Sequence, residues 1–184
     1  GVDGRFRARE DRTLDEAGDS MKRAMVLLVL AGCSEKPADK PAPKPEGGLL
    51  QYRVPEAWTS RPPANKLRKA QYSVPDKEKK AADAELVYSY FGPSGGGTLD
   101  ENMERWAGQF GTTRESAKVE KATGSHPVTF VRLKGTYEGD KPGFVMMVAA
   151  VETEQGMHYL KLVGPDVTVS DWSAEFRKLA LEAR

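Results

Sequence analysis

Apolar and polar residues alternate along much of the chain from Leu49 onward, the period of a half-buried strand. Leu50, Tyr52 and Val54 alternate with Gln51 and Arg53 until Pro55. Ala70, Tyr72 and Val74 do the same before Pro75, and Ala84, Leu86, Tyr88 and Tyr90 continue the pattern to Phe91. Pro93 and Gly95-Gly96-Gly97 then interrupt it, which predicts a loop. At Thr98 the period changes. Thr98-Leu99-Asp100-Glu101 has the form of a capping box, and Leu99, Met103, Trp106, Ala107 and Phe110 fall on one face of a helix closed by Gly111. A weak strand is predicted over Lys118–Ala122 and a longer one over Val128–Tyr137. Phe144–Val151 is almost wholly apolar and reads as a central strand buried on both faces. Glu154-Gln155-Gly156 predicts a hairpin turn into Met157–Val163. After Gly164-Pro165, Trp172, Phe176, Leu179 and Ala180 mark a last helix. The expected class is α+β, a largely antiparallel sheet of six to seven strands flanked by two main helices.

Upstream, a different pattern holds. Met21 opens a segment with Lys22 and Arg23, followed by the uninterrupted apolar run Ala24–Leu30 and then Ala31, Gly32 and Cys33. A positive head, a short apolar run and small residues describe a secretory signal peptide, and the run is well below the ~20 residues that a membrane span needs. Leu30-Ala31-Gly32-Cys33 resembles the lipobox of bacterial lipoproteins at all four positions. That resemblance implies cleavage between Gly32 and Cys33, a diacylglyceryl group on the Cys33 thiol, and a protein held outside the cytoplasm by its lipid. Ser34 stands where enteric lipoproteins retained at the inner membrane commonly carry Asp, so the outer membrane is favoured over the inner if the host has both. Residues 33–48 contain Pro37, Pro41, Pro43 and Pro45 with Lys36, Lys40 and Lys44, and no large apolar side chain. This composition favours extended polyproline II and reads as a tether. Residues 1–20 carry four arginines against six acids and fit no signal head, so they read as a mis-set start or a disordered extension preceding Met21. The divisions are therefore 1–20, a signal over 21–32, lipidated cysteine and tether over 33–48, and one domain over 49–184.

Composition narrows the function. The 28 basic residues against 27 acidic ones, and 22 against 21 from Cys33 onward, leave no general basic field for nucleic acid. One cysteine excludes an internal disulfide and a cysteine-rich zinc site. Gly95-Gly96-Gly97 precedes a helix, but no Lys-Ser or Lys-Thr pair follows to make a phosphate loop. Asp100 and Glu104 share the helix face opposite the apolar stripe, as solvated carboxylates do. The expectation is no catalytic residue, no cofactor and no metal. His126, before Pro127, and His158, in a hairpin strand, are the candidates for a metal-dependent or small-ligand alternative. Tyr52, Trp58, Tyr72, Tyr90 and Trp106 form a dense aromatic set. These are expected mostly in the core, with Trp58, Tyr90 and Trp106 the candidates for a ligand or partner surface.

Several stretches resemble PsbP-like domains: Tyr52-Arg53-Val54-Pro55-Glu56-Ala57-Trp58, Ala70-Gln71-Tyr72-Ser73-Val74-Pro75, Tyr90-Phe91-Gly92-Pro93, Asn102 through Phe110, and Lys161-Leu162-Val163-Gly164-Pro165. The likeness runs over Leu49–Arg184 and extends to uncharacterised bacterial lipoproteins with this element order. It implies an antiparallel sheet flanked by helices. Members of that wider fold serve as binding and assembly subunits, beside photosystem II or at a small GTPase in nuclear import. No partner-contacting residue carries over. The sequence thus points to a lipid-anchored envelope protein with a non-catalytic binding role, its partner a protein or envelope component.

Overall fold

The computed structural model describes residues 48–184. The expected extension 1–20, the signal segment 21–32, and Cys33 with nearly all of the tether lie outside the described residues.

Seven strands form one antiparallel sheet: β1 (Thr59–Arg61), β2 (Arg68–Val74), β3 (Ala84–Tyr90), β4 (Lys118–Thr123), β5 (Pro127–Tyr137), β6 (Lys141–Thr153) and β7 (Gly156–Pro165). Their spatial order is β1-β2-β3-β7-β6-β5-β4. Helix α1 (Leu99–Gln109) follows β3, and α2 (Asp166–Asp171) and α3 (Ser173–Glu182) end the chain. The α+β antiparallel expectation holds, with corrections at both ends. The 50–54 segment is extended but stays out of the sheet. Its backbone pairs instead with the last residue: the Gln51 N–H donates to the Arg184 carbonyl at 2.7 Å, and the Arg184 N–H to the Gln51 carbonyl at 2.9 Å. The first strand is β1, three exposed residues with no apolar pattern to announce them. The last helix is two segments meeting at Trp172. There the indole N–H donates to the Pro75 carbonyl at 2.7 Å, and the ring packs edge-on against Trp58.

The layers follow from β6. Val145 through Val151 are all buried, so both faces of the strand need cover. Val145, Met147, Ala149 and Val151 point into one core with Leu86, Leu160, Leu162, Phe176 and Leu179, beneath α2 and α3. Met146, Val148 and Ala150 point into the other with Met103, Trp106, Phe110, Val131 and Leu133, beneath α1. The predicted capping box of α1 is formed. Thr98 Oγ1 accepts from the Glu101 N–H at 3.2 Å, and Glu101 Oε2 accepts from the Thr98 N–H at 2.7 Å.

The strand registers place the turns at two ends of the sheet. One end gathers the β1–β2 loop, the β3–α1 loop, the β4–β5 turn and the β6–β7 turn, because Arg68 pairs with Ser89, Tyr90 with His158, Thr123 with Pro127 and Thr153 with Gly156. The chain enters at this end too, since Gly48 lies beside Gln155 and the Tyr90 hydroxyl. The β2–β3 loop and the β5–β6 turn are at the opposite end.

Truncation on either side of the sheet is expected to destabilise by about 2–5 kcal/mol, for Leu160→Ala in one core and Met146→Ala in the other. The exposed Val119→Ala should change stability by less than about 0.5 kcal/mol. Urea unfolding of the three variants measures this, and a large loss confined to one face would contradict the two-core packing.

Candidate functional site

The candidate site lies at the entry end of the sheet. A cleft of about 290 Å³ is lined there by Gly48, Gln51, His126, Thr153, Gln155, His158 and Arg184, among others. Both histidines singled out in the sequence line it, although 32 positions separate them. The topology explains the meeting: His126 precedes β5 and His158 opens β7, on either side of β6.

His158 forms the floor and is fully buried. Its position on β7 faces the α2–α3 core, paired directly with Tyr90 on β3 and with Val151 on β6. The Tyr90 ring stacks on it with centroids 4.2 Å apart and planes 11° from parallel. Tyr88 Oη lies 2.9 Å from His158 Nδ1, and Thr153 Oγ1 lies 3.1 Å from Nε2.

Hydrogen-bond bookkeeping fixes the direction of this chain. Thr153 Oγ1 accepts from the Gln155 N–H at 3.1 Å and donates its one proton to the Gly156 carbonyl at 3.1 Å. It can therefore only accept from His158, so Nε2 carries the imidazole proton. Nδ1 is then the acceptor, and the Tyr88 hydroxyl donates to it while accepting from the Leu50 N–H at 2.9 Å. The chain runs Leu50 N–H to Tyr88 to His158 to Thr153 to the Gly156 carbonyl, with every proton placed. It pins the entry segment to the β6–β7 hairpin. Burial pushes the His158 imidazole down to about 4, and the nearby His126 adds to the effect. Burial pushes the Tyr88 phenol up to about 12. Both groups are neutral at pH 7, as the chain requires.

The arrangement holds structure more readily than it does chemistry. Both imidazole nitrogens of His158 are engaged, so it offers neither a free ligand nitrogen nor a free base. Among the described residues, no group of three or more His, Cys, Asp or Glu stands close enough to hold a metal ion.

The aromatic candidates do not form one surface. Trp58 is 5% exposed in the α2–α3 core, its ring 5.7 Å edge-on from Trp172. Trp106 is 7% exposed in the opposite core, 5.7 Å from Tyr159. The sheet lies between them. Tyr90 alone reaches the cleft end, where its hydroxyl donates to the Gln155 carbonyl at 2.7 Å. Tyr52 and Tyr72 pack against the same core as Trp58.

Two participants escape sequence reasoning. Tyr88 reads as one more apolar position of β3, and Thr153 as a polar residue at a strand end. Neither carries a signal of its partner, because the pairing is set by strand register across the sheet. Gly95-Gly96-Gly97 is also more than a flexible connection. A Cβ at Gly95 would stand 2.0 Å from the Phe91 carbonyl oxygen, and one at Gly96 2.6 Å from the Phe91 ring, so the loop requires glycine to fold back on Phe91.

Compared with known proteins, the chain matches no protein-family model, and no curated protein sequence matches it.

Loss of the hydroxyl in Tyr88→Phe leaves the Leu50 N–H and His158 Nδ1 without partners and should cost about 1–3 kcal/mol at pH 7. The pH dependence has a definite sign. A histidine in the unfolded chain takes its proton near pH 6.5, whereas folded His158 does so only near 4. As pH falls through this window the unfolded state binds protons first. The contribution is therefore complete above about pH 6.5 and declines toward pH 4. Urea midpoints from pH 7 to pH 4 should fall for the unaltered chain and fall less steeply for His158→Gln. Equal slopes would contradict the neutral, buried assignment.

Proposed function

We propose that the chain is a lipid-anchored lipoprotein on the extracytoplasmic side of a bacterial membrane, with a PsbP-like domain that acts by binding a protein or envelope component rather than by catalysis. The observation that carries this reading is the complete lipobox match at Leu30-Ala31-Gly32-Cys33, preceded by a basic head and an apolar run and followed by a proline-lysine spacer that leads directly into the domain at Gly48. One acyl chain holds a protein only marginally, and two or three hold it firmly, at ~0.8 kcal/mol per buried methylene. The antiparallel sheet with helices on both faces agrees with the fold that the resemblance implies. The saturated hydrogen bonding of His158, which leaves neither ring nitrogen free, favours a binding role. No helix among the described residues is long and apolar enough to cross a membrane.

A second reading rests on the cleft itself. About 290 Å³ with His126, Gln51 and Gln155 on its walls suits a small polar ligand, which those side chains would orient.

The anchor is tested by detergent phase partitioning of membranes from cells that make the full chain. The unaltered protein should enter the detergent phase, and Cys33→Ala should move to the aqueous phase or accumulate as uncleaved precursor. A cleaved Cys33→Ala protein that remains in the detergent phase would overturn lipid attachment at Cys33.

A further inference from the structure

We infer that the entry end of the domain is a membrane-contacting surface, in which the β1–β2 loop presses Leu67 into the headgroup region of an anionic lipid layer while Arg61, Lys66 and Lys69 meet the lipid phosphates. This rests on the lipoprotein reading for its setting and adds to it a surface of the folded domain.

Leu67 is the most exposed large apolar residue described, at 61%. A lone exposed leucine is ordinary. What sets this one apart is its presentation and its neighbours. The loop begins with Pro62-Pro63 and is tied at three points: the Ala64 N–H donates to Gln71 Oε1 at 3.0 Å, the Leu67 N–H to Asn65 Oδ1 at 3.0 Å, and the Arg68 N–H to the Asn65 carbonyl at 3.3 Å. The bonds hold the backbone so that the leucine stands outward instead of folding onto the sheet. No acidic residue occurs between Glu56 and Asp76, a stretch that contains Arg61, Lys66, Arg68 and Lys69. Arg68 lies back along the sheet to pair with Glu85 at 3.0 Å. Arg61, Lys66 and Lys69 are exposed and form no ion pair among the described residues.

Position completes the case. Arg68 pairs with Ser89, so Leu67 leaves β2 beside the point where β3 runs out toward Phe91. Phe91 is 38% exposed, the second large apolar side chain at this end. The chain from Cys33 joins the domain at Gly48 on the same end. An anchored domain would therefore carry its apolar tip and free cations on the side where its tether attaches. Acids also occur at this end: Glu152 on β6 and Glu154 in the β6–β7 turn, with β3 between that hairpin and the β1–β2 loop, and Asp100 and Glu101 in the first turn of α1. An anionic bilayer fits this surface better than a protein partner does. The apolar element is a single projecting tip amid cations.

The test uses the full chain carrying Cys33→Ala, so that no acyl group contributes. Co-sedimentation is measured with phosphatidylcholine vesicles and with vesicles that also contain phosphatidylglycerol. The readout is the ratio of the two affinities, which removes the uncharged contribution of the apolar run. Lys66→Glu with Lys69→Glu should lower this ratio at least about tenfold, whereas Lys79→Glu with Lys80→Glu, on the β2–β3 loop at the opposite end, should leave it unchanged. Leu67→Ser should weaken binding to the anionic vesicles by about fivefold. Circular dichroism checks that each variant is folded. Equal losses for the two double variants would overturn the proposal, as would a Leu67→Ser variant that binds like its parent. Unchanged binding by all the variants would overturn it as well. Failure here leaves the partitioning result for Cys33 untouched, and failure of lipidation leaves the vesicle result standing.

Discussion

Burial of β6 on both faces is the constraint from which the rest of the domain follows. Seven successive residues, Val145 to Val151, are withdrawn from water. A strand sends alternate side chains to opposite sides, so one apolar run demands two apolar layers. Helix α1 supplies one and the α2–α3 pair the other, and neither could be removed without exposing half of β6. The pairing of β6 with both β5 and β7 satisfies its backbone, and β7 in turn connects the hairpin half of the sheet to β1–β3. The surface ion pairs, such as Arg132 with Asp166 and Arg177 with Glu120, decorate this arrangement and each contribute about 0–1 kcal/mol.

The entry-end cleft depends on the same register. With β7 between β3 and β6, Tyr88, His158 and Thr153 come into line, and the buried imidazole is tolerated because each of its nitrogens has one partner of the right polarity. The consequence is mechanical. The entry segment is fastened to the centre of the sheet through Leu50, and its neighbour Gln51 is fastened to Arg184. A pull on Gly48 is thus delivered to β3 and β7, the interior of the sheet, and not to a frayed edge.

Much of this was legible in the sequence. The period-two runs located β2 and β3, the apolar run Phe144–Val151 located β6, the turn at Glu154-Gln155-Gly156 placed β7, and the change to a 3.6-residue period with a capping box located α1 to within a residue. The misreadings have physical sources. Leu50, Tyr52 and Val54 alternate as a strand does and do bury one side, but the hydrogen bonds of Gln51 go to Arg184, a partner too distant in sequence for local pattern to reveal. Thr59-Ser60-Arg61 joins the sheet by backbone pairing alone, without any hydrophobic mark. Trp58 and Trp106 could be grouped by residue type, yet strand and helix faces put them on opposite sides of the sheet. His126 and His158 were visible as residues, whereas their convergence and the roles of Tyr88 and Thr153 required the register.

The central claim concerns Cys33, the last residue of the lipobox match. Mass spectrometry of the N-terminal peptide from membrane-purified protein tests it most directly. The account predicts a peptide that begins at Cys33 and carries a diacylglyceryl modification on its thiol, with Met21–Gly32 removed. A mature protein that retains residues before Cys33, with the thiol unmodified, would contradict it.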